Sequence, residues 1–144
     1  MRLGVEAFLE SRRIAIVGVS RTRGFANEAM RVLRQRGYQV FPVNEVADRV
    51  EDEPCYHSVA QVPGPVDGVL CVVPPAEAVR VVDDCIRAGV KRLWLQQGSE
   101  SPAAITRAEE AGLVVVHGAC ILMYAHPHGI HRLHAFVDRV RGRL

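Results

Sequence analysis

Five apolar runs of strand length, separated by stretches with a helical period, limit what this chain can fold into more than any other feature. The runs are IAIVG at 14–18, QVFPV at 39–43, VDGVLCVV at 66–73, RLWLQ at 92–96 and LVVVH at 113–117. Runs without polar alternation are what parallel strands buried on both faces require. Between them Ala26, Met30 and Leu33, then Val79, Val82 and Ile86, then Ala104, Ile105 and Ala108 recur at helical spacing. Gly37, Gly89 and Gly112 follow these stretches, where a helix exit favours a left-handed residue. The repeated switch of period predicts an α/β fold: a Rossmann-like, doubly wound, mainly parallel sheet of about five strands with helices on both faces.

Outside this rhythm, residues 45–64 (EVADRVEDEPCYHSVAQVPG) are more polar and carry Pro54 and Pro63, which predicts a short strand and a turn of helix. Leu3, Phe8 and Leu9 predict a short N-terminal helix, and Ile130, Leu133, Val137, Val140 and Leu144 a C-terminal one. A chain of 144 residues with 49% hydrophobic content is expected to be one domain, 1–144, around one core. The net charge of +2, with acids and bases interspersed, gives no footprint for nucleic acid. The start, MRLGVEAFLESRR, carries Glu6 and Glu10 among few apolar residues, so neither a signal peptide nor a membrane span is expected, and the cytoplasm is the expected location. Cys55, Cys71, Cys85 and Cys120 form no C-x-x-C pair and are expected to be reduced and mostly buried.

In an open parallel sheet, ligands lie beyond the carboxyl ends of the strands, where strand order reverses. The loop after the first run, GVSRTRGFAN, leads from Gly18 into a helix starting near Phe25, so backbone N–H groups and the positive end of the helix dipole converge there on an anion. Gly18 permits a tight turn and Gly24 a close backbone approach, while the Ser20 hydroxyl and the guanidinium groups of Arg21 and Arg23 are suited to phosphate. The third run ends in Val73, Pro74 and Pro75, a stiff apolar ledge for a flat ring, with Pro75 suited to a first helical turn. LWLQQGSES ends a strand with two amides and a glycine, and Ser101 before Pro102 predicts an N-cap.

IAIVGVSRTRGFANEAMRVLRQRGYQVFPVN, PVDGVLCVVPPAEAV, GVKRLWLQQGSES and AGLVVVHGACI, in that order and spacing, resemble the standalone CoA-binding domain proteins, which are similar to the CoA-binding N-terminal domain of the succinyl-CoA synthetase α subunit and of NDP-forming acyl-CoA synthetases. The resemblance runs from about Arg12 to Ile121. It implies that Gly18, Val19 and Ser20, with the stretch from Arg21 to Gly24, hold CoA phosphates, and that Val43 and Asn44 lie beside the adenosine end. It also matches Val73, Pro74 and Pro75 to the synthetase-type ledge, and Gln97 and Gly98 to the W-x-Q-x-G loop. Glu45 departs from the family pattern, which usually has proline there. The synthetases also carry a phosphorylatable histidine in a separate domain and an ATP-grasp domain to charge it; this chain is expected to have neither. The implied function is therefore a non-catalytic CoA or acyl-CoA binding protein serving as carrier, sensor or regulatory subunit, with room for a protein partner or a homo-oligomer.

Two other classes compete. A nicotinamide-linked oxidoreductase needs a glycine turn and an acid after the second strand; Glu45 supplies the acid, but Ser20 and Arg23 replace the motif glycines. A regulatory protein with a vestigial nucleotide site is the other. His126, His128, His131 and His134 lie close together without a carboxylate or thiolate completing a closed set, so no metal site is expected. Cys55 with His57, and Cys120 with His117, have the residue types of a thiol–base pair, but no catalytic residue is expected from sequence proximity alone.

Overall fold

The computed structural model describes residues 2–125. In chain order the elements are α1 (Arg2–Leu9), β1 (Arg13–Val17), α2 (Phe25–Gln35), β2 (Gln39–Val43), β3 (Arg49–Val50), β4 (Glu53–Pro54), a 3-10 turn (Val59–Gln61), β5 (Gly68–Cys71), α3 (Pro75–Ala88), β6 (Arg92–Gln96), α4 (Pro102–Glu110), β7 (Val114–Ala119) and a second 3-10 turn (Ile121–Met123). The five apolar runs become one parallel sheet in the order β2-β1-β5-β6-β7. In its register Val17 lies opposite both Val43 and Cys71, so β1, β2 and β5 end in one row. The chain steps from β1 to one neighbour, then crosses to the other, which opens a crevice at that row.

Successive strand residues face opposite ways, and each face has its own helices. Ile14, Ile16, Leu70, Trp94 and Val116 pack with Phe8 of α1 and Ala26, Met30 and Leu33 of α2. Ala15, Val69, Cys71, Leu93 and Leu95 pack with Ala78, Val82 and Cys85 of α3 and Ala104 and Ala108 of α4. Trp94 is wholly buried, edge-on to Phe8 with ring centroids 5.4 Å apart, and its Nε1 donates to the Ala119 carbonyl at 3.0 Å. Burial of each such large side chain contributes about 1.5 to 3 kcal/mol, which locates the main stability in the sheet's central strands.

Some details differ from the sequence reading. The buried stripe of α3 is Ala78, Val81, Val82 and Cys85, so Val82 faces the sheet as expected, whereas Ile86 is exposed and Val79 half-buried. In α1, Phe8 enters the core but Leu3 points to solvent. Residues 45–64 hold two short antiparallel strands, β3 and β4, besides the turn of helix. The strand in VDGVLCVV is shorter than the apolar run at both ends, and just before its start the Asp67 carboxylate accepts from the amides of Arg12 and Arg13, both at 2.9 Å. The expected C-terminal helix and the histidines from His126 to His134 fall outside the described residues.

Candidate functional site

The glycine turn is fixed by a close approach. Gly18 has φ 111, and a Cβ built on it would lie 1.8 Å from the Val72 carbonyl oxygen. No side chain fits there, so the loop after β1 is drawn directly over the end of β5. Gly18 N donates to Val43 O at 3.1 Å, which ties the same turn to the end of β2.

Beyond Gly18 the loop is organised by residues that the sequence does not advertise. Asn27, buried in the first turn of α2, accepts from Ser20 N and donates to Ser20 O, each at 2.8 Å. Its signal in the sequence is a polar residue three positions before the core residue Met30. The Ser20 hydroxyl accepts from Thr22 N at 3.2 Å and so closes the turn. Arg21 and Arg23 are exposed and make no hydrogen bond or ion pair among the described residues. Gly24 is the N-cap of α2 and gives it no side-chain cap, leaving the first amides of that helix to other acceptors.

Asn44 braces the second loop. Its Nδ2 donates to Val19 O at 2.8 Å, and its Oδ1 accepts from Val46 N and Ala47 N at 2.8 Å each. Val73 N donates to the hydroxyl of buried Ser99 at 3.0 Å, joining the proline ledge to the loop after β6. There Gly98 N and Gly118 N both donate to the Glu100 carboxylate at 2.8 Å, and Gln97 N donates to Ala119 O at 3.2 Å. Ser101 caps α4 by accepting from Ala104 N at 3.1 Å, with Pro102 heading the helix.

These ties leave a cleft of about 350 Å³ at the carboxyl ends of β1, β2 and β5. Gly18, Val19, Val43, Asn44, Val73 and Pro74 line it, together with Glu45, Val46, His57, Glu77, Arg80 and Asp84. Of the sequence-predicted set, Ser20, Arg21, Arg23, Gly24, Gln97 and Gly98 stand outside that lining on the adjoining loops of the same sheet edge, and Pro75 stands outside it at the head of α3. Glu45 pairs with Arg80 at 2.7 Å, and His57 Nε2 lies 2.8 Å from Asp48 Oδ1.

Among the described residues no thiol is hydrogen-bonded to a histidine. His57 engages Asp48, while the Cys55 sulfur faces the Tyr56 carbonyl at 3.9 Å. Burial pushes the Cys55 and Cys85 thiols up and the Cys71 thiol up to about 12, the opposite of activation. Among the described residues no group of three His, Cys, Asp or Glu is placed to hold a metal, and no helix is long and apolar enough to cross a membrane.

A family model for the CoA binding domain matches residues 12–126. The chain is 28% identical over 120 residues to the uncharacterized protein YneT of Bacillus subtilis (strain 168), covering 81% of this chain and 87% of that protein. It is 31% identical over 83 residues to the ADP-forming acetate–CoA ligase II of Archaeoglobus fulgidus, covering 56% of this chain but 12% of the ligase. Among solved structures, a hypothetical protein from Pyrococcus horikoshii OT3 superposes with a TM-score of 0.78 at 31% identity, over 86% of this chain and 89% of that one. The dinucleotide-forming acetyl-coenzyme A synthetase 1 of Ca. Korarchaeum cryptofilum superposes with a TM-score of 0.66 at 29% identity, over 77% of this chain and 27% of the synthetase. The chain thus spans most of the small relatives and a minor part of the ligases.

Proposed function

The chain belongs to the CoA-binding domain family, and from that premise we propose that it binds CoA or an acyl-CoA as a single binding module, acting as a carrier, sensor or regulatory subunit without a complete synthetase cycle of its own. The observation that carries this reading is the Gly18 turn lying against Val72, which leaves a cleft at the point where strand order reverses. In this reading the phosphates lie on Ser20, Arg21, Arg23 and the amides leading through Gly24 into α2. Two guanidinium groups without partners among the described residues, beside a helix N-terminus without a side-chain cap, favour an anion there. The adenine half lies between the Val43–Asn44 and Pro74–Pro75 loops, and Val73, Gln97 and Gly98 border the rest of the ligand. Free thiols at Cys55, Cys71, Cys85 and Cys120 suit the reducing cytoplasm.

Calorimetry with CoA and acetyl-CoA tests the binding, and incubation with ATP or GTP, a carboxylic acid and CoA tests whether the protein runs a synthetase cycle. Saturable binding without thioester formation is the expected result. Absence of binding removes the assignment, and sustained turnover by the pure protein removes its non-catalytic part.

A further inference from the structure

The β2 side of the cleft mouth is not neutral toward what enters it. Glu45 follows Asn44 at the end of β2 and holds Arg80 at 2.7 Å. Glu77 and Asp84 stand on the same wall; Arg87 holds Asp84 and Arg80 holds Glu45, so Glu77 adds a carboxylate with no cation partner among the described residues. The other base there, His57, is turned to the Asp48 carboxylate. Neither Arg21 nor Arg23 lines this wall. Beside Glu45, Val46 is 69% exposed and faces the same cleft as Pro74, which together offer apolar surface to a flat ring.

An adenine resting on that surface brings its ribose to Glu45. A carboxylate after the second strand accepts hydrogen bonds from free ribose hydroxyls, whereas a phosphate on the ribose would bring a dianion beside Glu45 and Glu77. We propose that this mouth selects an adenosine 5′-diphosphate whose ribose hydroxyls are free over one phosphorylated on the ribose, and that Glu45 makes the choice. The proposal rests on the cleft being a CoA-type nucleotide site and narrows the class of ligand it takes.

CoA and 3′-dephospho-CoA differ only in that phosphate, so titrating both into the parent and into Glu45→Gln isolates the effect. The Glu45–Arg80 pair is exposed on both sides, and such pairs add little to folding, so the variant is expected to stay folded. The parent is expected to bind 3′-dephospho-CoA about five- to tenfold more tightly than CoA, with the gap shrinking at high salt. In Glu45→Gln the gap is expected to fall to about twofold or less, chiefly through tighter CoA binding. If Arg80 instead leaves Glu45 to take the phosphate, CoA binds the parent as tightly or more tightly; that result overturns this proposal and leaves the CoA assignment standing. An undiminished gap in Glu45→Gln overturns the role of Glu45. Binding of neither nucleotide overturns the assignment and this proposal together.

Discussion

Asn27 and Ser20 exchange two hydrogen bonds of 2.8 Å, one side-chain amide satisfying both backbone polar groups of a residue in the glycine turn. The same Nδ2 also donates to Glu51 Oε2 at 2.9 Å, where Arg31 Nη1 arrives at 2.7 Å. One buried amide therefore joins the turn after β1, the helix α2 and the β3–β4 hairpin. The loop's shape is set from below by α2, which leaves Arg21 and Arg23 pointing outward.

Replacing Asn27 by Ala strips Ser20 of both partners, and replacing it by Asp removes the donor and sets a second carboxylate against Glu51. An unsatisfied buried polar group costs about 1 to 3 kcal/mol, so Asn27→Ala is expected to lose about that much in urea unfolding, and Asn27→Asp at least as much. The Asn27 hydrogen bond is also the largest influence holding the Glu51 carboxyl below its ordinary value of 4.5. A depressed carboxyl stabilises the fold above its unfolded pKa and loses that contribution as pH falls through the folded one. The stability gap between parent and Asn27→Ala is thus expected to narrow as the pH drops below the ordinary carboxylate range. A gap that does not change with acid would show that Glu51 is not tuned by Asn27.

Two glycines of the same loop are expected to respond in opposite ways. Gly18→Ala puts a Cβ 1.8 Å from the Val72 carbonyl at φ 111, so the strand end or the turn must move. A large fall in melting temperature is expected, or failure to fold. Gly24 has extended backbone, with nothing within 4 Å of an added Cβ. Gly24→Ala is therefore expected to keep the parent's stability within about 0.5 kcal/mol. Where phosphates approach the amides of α2, however, the added methyl obstructs them, and weaker CoA binding at unchanged melting temperature is the expected signature. Unchanged affinity would remove residue 24 from the phosphate site.

The sheet was legible because β1, β5 and β6 are buried on both faces, and sustained apolar runs such as RLWLQ have few other uses. The loops at its carboxyl edge followed from that. What was not legible is how those loops are held. Ser99 and Glu100 act on the backbone of Val73 and Gly118, which become neighbours only when β5, β6 and β7 have paired, while Asn27 reaches back seven residues to Ser20 across an irregular turn. No local period encodes such a contact. The α3 stripe was only partly legible: Val82 is buried as its spacing implies, but the buried face turns toward Ala78, Val81 and Cys85 and away from Ile86, an offset that several apolar positions in one helix leave open.

The buried thiols make a prediction about alkaline conditions. Burial raises the Cys71 thiol from 9.0 to about 12, and the Tyr38 hydroxyl from 10.0 to about 12. For both groups the fold favours the protonated form. That stabilisation is complete below the unfolded pKa and is lost as pH rises through the folded value. Stability is thus expected to decline progressively from about pH 9 upward. A disulfide reagent at neutral pH is expected to modify half-buried Cys120 ahead of Cys55, Cys71 and Cys85, as peptide mapping can show. Fast labelling of Cys71 in folded protein would contradict the burial argument.

Arg21 and Arg23 carry the phosphate assignment, and their exposure sets the size of the expected effect. A hydrogen bond to a charged group in a shielded site is worth about 1.5 to 3 kcal/mol, but an exposed ion pair contributes about 0.2 to 1. Both side chains stand in solvent without partners among the described residues, so contacts to a bound phosphate, if they form as proposed, are expected to fall between these limits. Each single alanine variant is expected to weaken CoA binding about tenfold at low salt, with the double variant weaker still. Salt screens exposed charges, so the parent is expected to lose affinity as ionic strength rises, and the variants to lose less. Arg107, paired with Asp83 at 2.6 Å between α4 and α3, lies outside the cleft lining and supplies the control, since Arg107→Ala changes net charge equally. Calorimetry at two salt concentrations distinguishes the cases. Local phosphate contacts lower affinity and salt sensitivity in Arg21→Ala and Arg23→Ala but not in Arg107→Ala. If all three variants match the parent, the turn after β1 does not hold the phosphates.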